Sequence, residues 1–187
     1  MESAAILGHR PERFRFKGRE TDPLCRLLQK ALAEQATTLY AQGVRQFCCG
    51  PSPGVGFWVG DAVLSLKAKH PDLKLACFLP FKGCDENWSP ASRSRYSRLL
   101  DACDTVCFSS AFAPTESRAI AAAYKRRDYR MVDQAEHLIA VYDQDRSVRT
   151  QIGQTVNYAR SKGRSIRYIH PDTAEITEES ENKKARP

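Results

Sequence analysis

The chain reads as an α/β protein, a three-layer sandwich with helices on both faces of a mainly parallel sheet of about six strands. Three observations predict it. Short apolar runs alternate with longer amphipathic ones from residue 3 to residue 171. The short runs are apolar at successive positions, as strands covered on both faces must be. The long segments open on capping residues or close on glycine. At 187 residues with 42% apolar content, one domain with a sizeable core is expected.

SAAILG (3–8) is the first strand, ending in the loop GHRPER. Asp22-Pro23 supplies an N-cap and first-turn pair for a helix that runs to about Gln42, where Gly43 stops it. VRQFCCG (44–50) is the second strand, followed by the turn GPSPGVG and a helix to about His70. KLACFLP (74–80) is the third strand, and Ser89-Pro90 caps a helix through Cys103. TVCFSS (105–110) is the fourth strand, and Pro114-Thr115 leads into a helix over SRAIAAAYKRRDYRMVD. HLIAVYD (137–143), the helix QIGQTVNYARSK and SIRYIHP (165–171) complete the pattern. Residues 172–187 read as a disordered charged tail. Neither an internal repeat nor an inner linker is visible.

In an open parallel sheet the ligand lies beyond the carboxyl ends of the strands. The loops at that rim are GHRPER, GPSPGVG, PFKGCDENW, SSAFAPT and YDQDRSVRT. The formal charge of +7 gathers near them: His9 to Arg19 holds five basic residues against Glu12, and Thr115 to His170 holds eleven against six acids. Basic clustering beside a glycine turn points to an anionic ligand, and less specifically to nucleic acid. The seven cysteines are odd in number and without paired C-x-x-C spacing, which argues for small core residues in a reducing compartment rather than metal or disulfide chemistry. No signal-peptide pattern or membrane-length apolar run is present, so a cytoplasmic protein without membrane association is expected.

The stretch GPSPGVGFWVGDAV (50–63) poses the central question, whether its glycines cradle a phosphate. Gly50, Gly54 and Gly56 permit close approach at a helix N-terminus, where the dipole favours an anion. Pro51 and Pro53 remove two N–H donors. With Tyr158 and Lys162 (Y-x-x-x-K) the turn mimics a short-chain dehydrogenase, but it follows the second strand instead of the first. No acid ends the next strand, and one strand only follows Tyr158. The dehydrogenase reading is rejected.

Gly8-His9-Arg10-Pro11, the turn Gly50 to Asp61, Pro80-Phe81 before Trp88, Arg127 through Asp133, and LIAVYD (138–143) resemble, in order and spacing, the bacterial YpsA-like branch of the SLOG superfamily. The resemblance runs from about residue 3 to residue 171. It implies a Rossmann-like fold, related to the lonely-guy phosphoribohydrolases and to DprA, and a nucleotide or nucleotide-derived ligand. Departures accompany it. Where the family turn usually has an acid this chain has Gly56; Trp58 is kept, and the family's final Glu is Asp61. Its second glycine motif reads Thr150-Gln151-Ile152, followed by Gly153 and Thr155.

Roles follow. Arg10 would pair a phosphate and His9 hydrogen-bond the ligand; Gly8 ends their strand. Trp58 would stack on a base or pack on its own helix. Arg127 stands where the family has a ligand-facing arginine, although KRRDYR also reads as a basic helix face. Ser109 offers a small polar step, Asp143 a rim carboxylate, and Thr150 and Thr155 phosphate donors, Thr155 being equally a helix cap. A phosphoribohydrolase needs a carboxylate, and none follows Gln151 before Asp172. Three readings stand: a sensor or regulatory protein binding a nucleotide without robust catalysis; an enzyme cleaving an N-glycosidic bond, its acid being Asp61, Asp143 or one from a partner subunit; and DprA-like binding of single-stranded nucleic acid. Related proteins commonly self-associate, so a homo-oligomer is an accompanying expectation.

Overall fold

The structure, a computed structural model, describes residues 1–145 and 147–179. In chain order the elements are β1 (Glu2–Gly8), α1 (Pro23–Ala41), β2 (Val44–Cys49), α2 (Val55–Lys67), β3 (Lys74–Leu79), α3 (Pro90–Ala102), β4 (Thr105–Phe108), α4 (Ser117–Asp133), β5 (His137–Val141), α5 (Gln151–Ser161), β6 (Ser165–Ile169) and β7 (Ile176–Glu178). They build one sheet in the order β4-β3-β2-β1-β5-β6-β7. All neighbouring pairs are parallel except β6 with β7. This is the doubly wound, Rossmann-like α/β sandwich that the alternation predicts.

The caps explain where the helices begin. Asp22 accepts from the Leu24 N–H at 2.9 Å and Ser89 from the Ser92 N–H at 3.2 Å, each with proline in the first turn. β1 is apolar from Ala4 to Leu7 because both of its faces are covered. Ala4 and Ile6 pack with α1 and α2 on one side, whereas Ala5 and Leu7 pack with α4 and α5 on the other. Strand order reverses at β1, which has β2 on one flank and β5 on the other. Loops leaving such a switch point diverge and open a crevice.

One expectation is corrected. Residues 172–179 fall in the stretch read as a disordered tail, yet they turn back and lay β7 against β6, with Ile169 opposite Ile176. All three β7 residues are exposed; backbone pairing and an ion pair between Arg167 and Glu178 hold the strand, and no apolar pattern announces it. Residues 180–187 of that stretch lie outside the described residues. Among the described residues no helix is long and apolar enough to cross a membrane.

Candidate functional site

A cleft of about 750 Å³ opens at the carboxyl rim of the sheet, over the ends of β1 and β2. Its volume lies in the usual range for small-molecule sites. One wall is the loop after β1, from Gly8 to Arg13, and another is the turn after β2, with Gly50, Ser52, Pro53, Val55 and Gly56. The far wall comes from α4 and the start of α5: Ile120, Tyr124, Arg127, Asp128, Thr150, Gln151 and Ile152. Trp88 closes one side.

The two helix N-termini at the cleft differ. α2 begins at Gly54, whose backbone (φ 86°, ψ −134°) lies in a region that side chains beyond glycine avoid, and it has no side-chain cap. The Phe57 N–H is taken by the Ser52 and Gly54 carbonyls, and the Trp58 N–H by Gly54. Val55 and Gly56, the first two residues of the helix, both line the cleft. First-turn N–H groups have no partner within their own helix. Gly56 also packs so closely that a Cβ there would sit 2.2 Å from the Gly50 carbonyl oxygen. The acid that the family usually carries at that position does not fit this turn. α5 is different: Thr150 Oγ1 accepts from the Gly153 N–H at 3.1 Å, so its first turn is already capped.

The charges are unevenly committed. Arg127, 8% exposed, donates from Nε and Nη2 to Asp128 Oδ1 at 2.9 and 2.7 Å, and Gln151 Nε2 donates to Asp128 Oδ2. Arg127 also stacks on Tyr124, Cζ lying 5.1 Å from the ring centroid. Arg13 pairs with Asp143, which also meets His9 Nε2 at 3.4 Å. Arg10 is exposed and stands 5.6 Å over the Tyr124 ring, with no carboxylate partner among the described residues. It is therefore the cleft arginine available to an anion. Burial pushes the His9 imidazole below its ordinary pKa; Asp143 pulls the other way and does not win. The ring is neutral at pH 7. Burial also works against ionised Asp143, but the Asp145 N–H and Arg13 hold its carboxyl below the usual range.

Of the residues expected at the site, Gly8, His9, Arg10, Gly50, Gly56, Arg127 and Thr150 line the cleft. Arg127 lines it as one half of a buried ion pair, which alters the expected role of a free ligand-facing cation. The remaining positions sit elsewhere. Gly54 lies beneath the cleft, behind Pro11. Trp58 points into the core at 3% exposure, tilted against Phe14 and Phe16, and its indole N–H donates to Glu20 at 2.8 Å. Asp61 pairs with Arg95 and Arg98 and joins α2 to α3. Ser109 follows β4 at the sheet edge. Asp143 ties the loop after β1 to the loop after β5. Gly153 belongs to the first turn of α5, and Thr155 is fully buried inside it, donating to the Gln151 carbonyl at 3.0 Å. The cap of that helix is Thr150, not Thr155.

The sequence marks Gln151 only within the run Thr150 to Thr155 and does not mark Tyr124, Asp128 or Trp88 as ligand contacts. The sequence carries one signal for Asp128: it is an acid adjoining Arg127, the arginine expected at the rim. α4 also splits the basic run. Arg127 turns into the cleft, Arg126 faces solvent, and Arg130 donates to the Phe108 carbonyl.

A family profile described as the YspA SLOG family matches residues 4–174, spanning every wall of this cleft. The chain belongs to that family. It is 25% identical over 185 residues to the UPF0398 protein YpsA of Bacillus subtilis, covering 97% of this chain and 99% of that one. A UPF0398 protein of Bacillus cereus is 26% identical over 190 residues, with 97% of each chain covered. Another, from Halalkalibacterium halodurans, is 31% identical over 119 residues, which is 64% of this chain and 61% of the relative.

Proposed function

We propose that this SLOG-family protein binds a nucleotide or nucleotide-derived ligand in the rim cleft, in a sensing or regulatory role without robust catalysis. The observation that carries the reading is the uncapped N-terminus of α2, with Val55 and Gly56 lining the same cleft as Arg10. A helix N-terminus and an unpaired arginine are the elements that hold a phosphate. Trp88 and Tyr124 add aromatic surface suited to a base.

The geometry also bears on catalysis. Asp128 is a carboxylate in the cleft wall, yet one of its oxygens is held twice by Arg127 and the other once by Gln151. A carboxylate so engaged is a poor base or nucleophile, and it serves better as a fixed acceptor.

Thermal unfolding with AMP, GMP, NAD, cyclic nucleotides and a short single-stranded oligonucleotide, each at two salt concentrations, tests the proposal. A nucleotide at about 100 times its dissociation constant should add roughly 2.7 kcal/mol of stability. The gain should disappear in Gly54→Val. Stabilisation by the oligonucleotide alone, falling steeply with salt, would replace the proposal with nucleic-acid binding.

A further inference from the structure

Asp128 distinguishes this cleft from a simple anion pocket. The residue is 4% exposed, and its carboxylate has donors fixing both oxygens. An ionised carboxylate accepts about four hydrogen bonds. Oδ1 receives two from Arg127, whereas Oδ2 receives one from Gln151. One acceptor direction on Oδ2 therefore remains for a donor arriving in the cleft. Because Arg127 and Gln151 hold the group rigid, that direction is set before any ligand arrives.

This acceptor also lies close to the anion end. Gly50 joins the two: a Cβ on it would fall 2.8 Å from Arg127 Cζ, and its carbonyl oxygen packs against Gly56 in the first turn of α2. The first turn of α2 and the Asp128 carboxylate are thus linked through Gly50 and the Arg127 guanidinium, on which both border. A group bound at both carries negative charge at one end and a hydrogen-bond donor further along, which a hydroxyl supplies. The sugar of a 5′-ribonucleotide is built that way, with its phosphate on one carbon and the vicinal hydroxyls across the ring.

We propose, on the reading that the cleft takes a nucleotide, that Asp128 is its sugar-recognition residue and selects ribonucleotides through a ribose hydroxyl. Two consequences follow from charge and hydrogen bonding. A ligand without the hydroxyls leaves the buried carboxylate short of a donor and binds more weakly. A ligand with a phosphate on the 2′ or 3′ oxygen brings like charge against Asp128 and is rejected.

Calorimetric titration of the full chain with AMP, GMP, CMP and UMP, with their 2′,3′-dideoxy counterparts and with adenosine 3′,5′-bisphosphate tests this. The expected result is at least a tenfold preference for the ribonucleotide over its dideoxy form, with the bisphosphate weaker than AMP. In Asp128→Asn that preference should collapse. Equal affinity for the two sugars in the unmodified protein overturns the inference and leaves nucleotide binding intact. A preference that persists in a folded Asp128→Asn protein also overturns it, by placing the reader elsewhere. Should that variant fail to fold, the comparison on the unmodified chain decides alone. Absence of binding by every nucleotide sinks the underlying reading and this inference with it.

Discussion

Replacing Asp128 with alanine is the perturbation whose effect the structure specifies best. Arg127 and Asp128 are 8% and 4% exposed, and the guanidinium makes two hydrogen bonds to one carboxylate oxygen. Removing that carboxylate leaves a buried cation without its counter-charge, which costs about 3–5 kcal/mol. Gln151 loses its acceptor as well. Stacking on Tyr124 at 5.1 Å and the opening of the cleft soften the loss, so the low end, about 3 kcal/mol, is expected. For a chain of this size that lowers the melting temperature by about 6–12 °C. Urea unfolding of Asp128→Ala, Arg127→Met and the double variant isolates the pair. The double variant should be at least 2 kcal/mol more stable than the two single losses would sum to, on the order of coupling seen for buried neighbours. A loss below about 1 kcal/mol for Asp128→Ala, or single effects that add, would refute the account of Arg127 as a charge held by Asp128.

Three further outcomes are expected. Gly54→Ala places a side chain at φ 86°, 3.0 Å from Pro11 Cγ, and should cost about 1–3 kcal/mol in urea unfolding; unchanged stability would mean that the turn is not held as described. His9 has its folded-state pKa pushed below 6.5 by burial, so the unfolded chain takes up the proton first and stability should fall as pH drops below 6.5. That component should vanish in His9→Asn, as followed by melting temperature against pH. Burial pushes the Cys25 and Cys48 thiols up to about 11 and about 12, so a thiol reagent at neutral pH should label them only after denaturation.

Much of the fold is legible because local chemistry and burial agree. Asp22-Pro23 and Ser89-Pro90 act as the caps that they spell, and Gly43, at φ 111°, follows the C-terminus of α1. Strands β1, β2 and β3 are apolar at successive positions from Ala4, Phe47 and Leu75 onward, where both of their faces are covered. β7 escapes for the opposite reason: none of Ile176, Thr177 and Glu178 is buried, and the strand is held by backbone pairing and an ion pair from Glu178 to Arg167. The rim is legible at the level of loops, since strand order fixes which loops meet there. Individual side chains on the helices behind the loops are harder to place. Trp58 and Gly56 lie two residues apart on α2, about 200° around the helix axis, so one packs in the core while the other lines the cleft. Asp128 does not stand out as a ligand contact because it sits in a charged run, KRRDYR, that also reads as a solvated face. Its carboxylate meets Gln151 at the start of α5, an approach that no local pattern records.

The position of β1 carries a consequence for the growing chain. Ile6 pairs with Cys49 on one flank and with Ile139 on the other. During synthesis β1 therefore gains its β2 neighbour well before its β5 neighbour. The cleft inherits that delay, because two of its walls come from residues 8–56 and the third from residues 120–152. A ligand seated there would join segments far apart in the sequence. Before α4 and α5 are in place it would meet only part of its site, and afterwards it would clasp the two halves of the sheet together.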